Sequence, residues 1–302
     1  MNASVDTLAS HETALQTLRD TLQARLSQLL PEGSERDLVS AAMRAGTLAP
    51  GKRIRPLLLL LVAQDLGGSA EQPGLVDLAC AVEMVHAASL ILDDIPCMDD
   101  AALRRGQPTI HRQFGESVAI LAAVALLSRA FGVVAEAQGL TDSCKTQASA
   151  ELSRASGLEG LVQGQFRDLS EGAHARSADA ILSTNTLKTA TLFEATLQMA
   201  ALAAGAPHEV RHPLRRFAED LGQAFQLLDD LSDGCCSTGK DMHQDSGKST
   251  LVAIFGPEDV HRRLQTHLVR ADEYLTRACG QQAVTRGFVR AWFDRQLAML
   301  GG

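Results

Sequence analysis

The sequence predicts an all-α protein, and three observations carry that prediction. Leu15, Leu18, Leu22, Leu26 and Leu29 step by three and four residues, which draws one apolar stripe along a helix. Alanine and leucine, both strong helix formers, fill the apolar segments, and strand-type alternation is nearly absent. Clusters of glycine and proline cut the chain into helix-sized pieces, about ten in all.

Taken in order, the leucine stripe ends at PEGSE, residues 31–35. Helical patterns follow over 36–48 and 56–66, the second holding the apolar run Leu57–Ala63, and GGSAEQPG at 67–74 closes it. The next pattern, 75–95, stops at Pro96, which lacks a backbone donor and disfavours helical geometry at Ile95. RRGQP at 104–108 is a further break. Patterns over 115–137 and 143–170 come next, and Val118–Leu127 is apolar almost all round. Such a segment belongs in a layer buried by other helices. Ser177, followed by Ala178 and Asp179, is an N-cap for 178–204. GAPHEVRHP at 205–213 precedes 214–233, FGPED at 255–259 leads into 258–278, and 284–300 is the last helical pattern.

A chain of 302 residues with 45% hydrophobic content can fill a large core. No linker, repeat or low-complexity block divides it, so a single domain over 1–302 is expected. The net charge of −8 argues against bulk nucleic-acid binding. The six cysteines are scattered without a C-x-x-C pair, and Cys235 and Cys236 are expected as loop thiols. The N-terminus is polar and mildly acidic, unlike a signal or transit peptide. The longest unbroken apolar runs fall short of a membrane span, so a soluble, cytoplasmic protein is expected.

The chemistry is concentrated in two acidic clusters. LILDDIPCMDD carries Asp93, Asp94, Asp99 and Asp100 at the end of an apolar helix. On a regular helix Asp99 would sit about 240° round from Asp93. A break at Pro96 lets Asp99 swing back toward it. FQLLDDLSDG ends a second apolar helix with Asp229, Asp230 and Asp233, and 229 and 233 are one turn apart. One such cluster could be a solvated helix end. Two of them are hard oxygen ligands suited to Mg²⁺, which takes carboxylates together with substrate phosphates. Neither has the alternating pattern of an EF-hand loop.

Basic residues match them. GKRIRP supplies Lys52, Arg53 and Arg55, LRRG adds Arg104 and Arg105, and LKTA puts Lys188 and Thr189 inside an apolar helix. A lone lysine there is costly without a partner. Lys240 and Lys248 follow the second acidic cluster. These residues could serve two phosphate groups, one through Mg²⁺ and one directly. GCCSTGKD fits G-x-x-x-x-G-K, but Asp241 stands where a P-loop needs Ser or Thr, and a helix precedes it. No protein nucleophile stands out. None is needed if a metal-neutralised diphosphate leaves an allylic carbon in a dry apolar cavity.

From about residue 50 to 255 these motifs occur in the order found in a known family. GKRIRP, EMVHAASLILDDIPCMDDAALRRGQPTIH, GQFRD, LKTATLF, GQAFQLLDDLSD and GKST together resemble the trans-polyprenyl diphosphate synthases. Within them the chain is most similar to bacterial geranylgeranyl diphosphate synthases of carotenoid pathways. The resemblance implies an isoprenoid-synthase helical fold with a central apolar cavity, a homodimer, and about three Mg²⁺ ions with substrate bound. It implies catalytic roles for Asp93, Asp94, Asp99, Asp229, Asp230 and Lys188, with Asp93, Asp99 and Asp229 as metal ligands. Lys52, Arg55, His86 and Arg105 match the isopentenyl diphosphate site, although His86 by itself would read as a core histidine. Arg104, Lys188, Thr189, Gln226 and Lys240 match the allylic diphosphate site. Gln165 and Asp168 match a motif that could simply position Lys188 or water. The implied substrates are isopentenyl diphosphate and the allylic dimethylallyl, geranyl and farnesyl diphosphates.

Ser89 and Ala88 lie four and five residues before Asp93, about one helical turn below the metal ligands. Both are small. In similar synthases that stop at fifteen carbons an aromatic stands at the position of Ala88, so the resemblance implies a twenty-carbon product. A farnesyl diphosphate synthase is the alternative. A terpene cyclase would carry Asn, Ser and Glu in its second metal motif, where this chain has DDLSD. A non-catalytic regulatory subunit would lack some of the aspartates or the lysine of GKRIRP, and none is missing.

Overall fold

Leu22 and Leu26 of the first stripe are fully buried, as the spacing requires. In the computed structural model the described residues are 2–34, 36–171, 176–232 and 250–300, with side chains in the first helix described from residue 12 onward. The helices are α1 (Asn2–Leu29), α2 (Leu38–Leu48), α3 (Ile54–Asp65), α4 (Pro73–Asp93), α5 (Ile110–Phe114), α6 (Glu116–Glu136) and α7 (Asp142–Ser156). There follow α8 (Leu161–Glu171), α9 (Ala178–Asn185), a π turn (Thr186–Ala190), α10 (Thr191–Ala203), α11 (His208–Ser232), α12 (Leu251–Phe255), α13 (Pro257–Cys279) and α14 (Val284–Leu300).

Two helices form the centre. α4 packs against α1, α2, α3, α6, α7 and α10, and α10 packs against α3, α4, α7 and α11. Their sequences explain this: PGLVDLACAVEMVHAASLILD and TLFEATLQMAALA are apolar on nearly every face. α11 is instead strongly amphipathic and lies between α10 and α13. One contiguous apolar core joins residues from α1 through α14. α4 and α11 both end their apolar runs at the acidic clusters, so the fold delivers two carboxylate-bearing helix ends from its interior.

Several boundaries differ from the expectation. The pattern 143–170 is two helices. Gly157 caps α7, and a side chain at Gly160 would lie 2.1 Å from the Ala155 carbonyl oxygen, so GLEG breaks the helix. The short helices α5 and α12 fall in stretches outside the helical patterns of the sequence, being too brief for periodicity to reveal. α11 begins at His208 and tolerates Pro213 near its start. RRGQP contains a two-stranded hairpin, with Leu103 opposite Pro108 and Arg104 opposite Gln107. Its two loop residues, Arg105 and Gly106, have φ of 54° and 75°, as a tight hairpin turn of matching twist requires.

The described cysteines Cys80, Cys97, Cys144 and Cys279 are free thiols, and Cys235 and Cys236 lie outside the described residues. Two helices are more apolar overall than their unbroken runs suggest. α4 and α6 are each long and apolar enough to cross a membrane by length and composition. Counting unbroken apolar runs does not show this, because Asp77 and Glu83 interrupt α4 and Ser128 and Arg129 interrupt α6 while each helix stays apolar on average. α4 is packed as a core helix, whereas α6 leaves Ile120, Leu121 and Val124 exposed along one side.

Candidate active site

Asp93 ends α4, and the chain then turns through Pro96. The backbone N–H of Asp99 donates to the Asp93 carbonyl at 2.9 Å, closing a loop that returns Asp99 to Asp93. Proline made this possible by ending the regular ladder. Asp229 and Asp230 arrive on the last turns of α11. All four aspartates line one cavity of about 350 Å³, together with Arg55, His86, Ser89, Arg104, Lys188, Thr189 and Gln226. A larger hollow of about 1710 Å³ opens between α1, α13 and α14, but none of the candidate site residues lines it.

The Asp93 carboxylate is held in a costly environment. Burial pushes Asp93 up to about 6; Lys188 pulls the other way, and Asp99 adds to the rise. Among the described residues no three side chains converge closely enough to hold a metal ion by themselves. That suits Mg²⁺, which keeps several waters and takes one or two carboxylates plus phosphate oxygens. The all-oxygen donor set and the raised Asp93 both fit such an ion.

Lys188 sits opposite, on the π turn rather than in a regular helix. Its ammonium donates to Asp168 Oδ2 at 2.8 Å. Burial alone would discharge it, but Asp93, Asp168 and Asp99 outweigh burial and hold its pKa above the ordinary value. Asp168 thus positions the lysine, one of the two roles the motif suggested. Thr189 Oγ1 donates to Gln226 Oε1 at 3.4 Å, and Gln226 Nε2 donates to Asp230 Oδ1 at 3.0 Å, which ties the π turn to the second acidic cluster.

Asp94 has a different position from its neighbours. It is 2% exposed and does not line the cavity. Arg104 donates to it three times: Nε to Oδ1 at 2.8 Å and Oδ2 at 2.9 Å, and Nη2 to Oδ1 at 2.6 Å. Burial works against the Arg104 charge, but the bonds to Asp94 hold it above its ordinary pKa. Asp94 is therefore a clamp that presents Arg104 at the cavity wall.

On the other side Arg55 lies 4.4 Å above the Phe193 ring, and its Nε is buried without a hydrogen-bond partner. Burial pushes Arg55 down to about 10, against Glu83 and with Arg105, so it remains charged at neutral pH. His86 is neutral: burial, then Arg55, Arg105, Arg104 and Arg53, all depress its pKa well below the usual value. Lys52 and Arg105 stand outside the cavity lining. Lys52 donates to Gln296 Oε1 at 2.5 Å and lies 5.0 Å from the Trp292 ring centre. Arg105 Nη1 donates to the Pro50 carbonyl at 3.2 Å. Arg53 anchors this loop from a left-handed turn, φ 50°, with its guanidinium paired to Glu83 and bonded to the Ala49 carbonyl at 2.9 Å. Ser89 lines the cavity, whereas Ala88 is fully buried beside it. Lys240, Lys248 and Asp233 lie outside the described residues.

Sequence reasoning missed Trp292 and Gln296, because no motif marks the last helix. It also missed Arg176, which lines the cavity 3.6 Å from Asp168, and Phe225, which lines it and stacks at 4.5 Å on Trp292.

The polyprenyl synthetase family model matches residues 36–279. The chain belongs to the polyprenyl synthetase family. It is 63% identical over 289 residues to a geranylgeranyl diphosphate synthase of Pantoea ananas, covering 96% of this chain and 95% of that one. It is 54% identical over 284 residues to a geranylgeranyl diphosphate synthase of Pseudescherichia vulneris, covering 94% and 92%. Among solved structures it resembles a geranyltransferase from Legionella pneumophila, with TM-score 0.86 and 26% identity, covering 97% of this chain and 99% of that one. A geranyltransferase from Helicobacter pylori complexed with magnesium and isoprenyl diphosphate gives TM-score 0.83 and 28% identity, covering 96% and 97%. The all-α isoprenyl-synthase fold expected from the motifs is thus the fold of this family member.

Proposed function

We infer that this chain condenses isopentenyl diphosphate with an allylic diphosphate, and extends dimethylallyl, geranyl and farnesyl primers to all-trans geranylgeranyl diphosphate. One observation carries the reading: Asp93 and Asp99 of one helix end, and Asp229 and Asp230 of another, share a cavity with Lys188, Arg104 and Arg55. Carboxylates and cations gathered round one hollow suit a ligand that is itself a polyanion bridged by cations. The identity with the two geranylgeranyl diphosphate synthases supports the same substrates.

Mg²⁺ when bound would supply charge neutralisation of the leaving diphosphate, with Asp93, Asp99 and Asp229 as its ligands and about three ions in all. Lys188, Thr189, Gln226, Arg104 and Lys240 orient that diphosphate so that its allylic C–O bond can break. Arg55, His86, Lys52 and Arg105 hold isopentenyl diphosphate, whose double bond attacks the allylic carbon once its C–O bond has broken, and the released diphosphate accepts the proton that the adduct then loses. Neutral His86 donates or accepts a hydrogen bond without adding charge. Leu90, Leu161, Leu192 and Phe225 exclude water from the cation. The small Ser89 on the wall leaves depth for a fourth isoprene unit.

We further read the enzyme as a cytoplasmic homodimer serving carotenoid formation. Exposed Ile120, Leu121 and Val124 on α6, and Val162 and Phe166 on α8, support a self-association face. Incubation with isopentenyl diphosphate, each allylic primer and Mg²⁺, followed by sizing of the dephosphorylated alcohols, tests the activity. A twenty-carbon alcohol from all three primers is expected. A fifteen-carbon end product would favour the farnesyl reading, and no elongation would remove the assignment.

A further inference from the structure

Between α9 and α10, where periodicity suggests one unbroken helix, the chain passes through the π turn Thr186–Ala190. A π turn fits an extra residue into the helix and disturbs the regular bonding of nearby carbonyls. Gln223 of α11 grips the entry to this turn, where the Leu182 carbonyl already accepts from the Thr186 backbone N–H and hydroxyl. Its side chain is 8% exposed, and Nε2 donates to the Leu182 carbonyl at 3.0 Å and to Thr186 Oγ1 at 2.9 Å. Gln223 does not line the cavity, and its Oε1 is buried without a partner. A buried amide with an unpaired oxygen is costly, and leucine would fill the same space without that cost. The donor hydrogens are therefore what this position requires.

Two close approaches complete the grip. A side-chain carbon at Gly164 of α8 would lie 2.6 Å from the Lys188 backbone nitrogen. One at Gly222, next to Gln223, would lie 2.6 Å from Ala190 Cβ. The turn carrying Lys188 and Thr189 is thus held from both sides, and Gln223 ties it to α11 away from the cavity as Gln226 does at the cavity surface.

We propose that Gln223 is a positioning residue that holds the π turn and so aims Lys188 and Thr189 at the allylic diphosphate. The inference rests on the reading of Lys188 and Thr189 as allylic-diphosphate residues. The test uses the full chain with Gln223→Leu, and reads farnesyl diphosphate binding with Mg²⁺ by calorimetry and the KM for isopentenyl diphosphate by turnover. Loss of two buried hydrogen bonds should weaken farnesyl diphosphate binding about tenfold while the isopentenyl KM stays within about twofold. In a Lys188→Ala background the same substitution should change farnesyl diphosphate binding clearly less than in the wild type, by about threefold or less, because much of its effect passes through Lys188 and only the Thr189 part remains. Unchanged allylic binding, equal weakening of both substrates, or full additivity in the Lys188→Ala background would overturn the proposal. If Gln223→Leu fails to fold, the isosteric Thr186→Val takes its place, with weaker allylic binding supporting the proposal and unchanged binding overturning it. If Lys188→Ala alone leaves allylic binding intact, the site reading falls and this inference with it; if only Gln223→Leu is silent, the site reading stands.

Discussion

Replacing Asp93 with asparagine should stabilise the metal-free protein while abolishing its turnover. The Asp93 carboxyl is pushed from 3.8 to about 6, first by burial, with Lys188 opposing and Asp99 adding. At pH 7.5 it is ionised in both the folded and unfolded chain, so folding bears the cost of that shift. At 1.36 kcal/mol per unit the cost is about 3 kcal/mol, an upper figure because part of the carboxylate reaches solvent. That figure already includes the attraction to Lys188, and a neutral amide removes most of it, a gain of roughly 1–3 kcal/mol after discounting for solvent, or about 2–10 °C in Tm. The raised carboxyl gives the difference a definite pH dependence. Between pH 3.8 and about 6 the folded state keeps a proton that the unfolded state releases, so this group costs more stability as pH rises through that window. The variant lacks that dependence, so its advantage should be small near pH 4 and complete above pH 6. Thermal melts in chelator at several pH values measure it. With Mg²⁺ and inorganic diphosphate the order should reverse, since only the wild type gains a full ligand set. An Asp93→Asn protein that melts below the wild type at pH 7.5 in chelator would refute the electrostatic argument. One that turns over near normally would refute the metal role.

Other substitutions separate the remaining parts of the site. Arg53 and Glu83 are 8% and 3% exposed, so Glu83→Ala strands a buried guanidinium and should cost about 3–5 kcal/mol, seen as a clear fall in Tm; an apolar double variant at both positions should recover much of it. Arg55→Ala should raise the KM for isopentenyl diphosphate far more than that for the allylic substrate, and an equal rise in both would show that the division of the two sites is wrong. Ala88→Tyr should shift the main product from twenty to fifteen carbons, and chromatography of the alcohols decides it. Ala88 is fully buried while Ser89 lines the cavity, so Ser89→Tyr should shorten the product at least as strongly.

The all-α class, most helices and both acidic clusters were legible in the sequence, because apolar periodicity and helix-ending residues act over a few neighbours. Pro96 alone was enough to say that Asp99 could return to Asp93, and the hydrogen bond between their backbones is that local event. Site membership was legible for Arg55, His86, Lys188 and Gln226 through motifs. Their partners were not. Asp94 and Arg104 sit ten residues apart and pair with Arg104 at the cavity wall and Asp94 behind it, which depends on how the hairpin folds back on the α4 end. Lys52 meets Gln296 across 244 positions, a contact no local pattern encodes. The π turn is likewise a tertiary outcome. Its residues have helical propensity, and the register shift is held by Gly164, Gly222 and Gln223 from two other helices. Local sequence decides which segments coil and which face is apolar. Only the packing of distant helices decides which charged groups line the cavity and which are paired behind its wall.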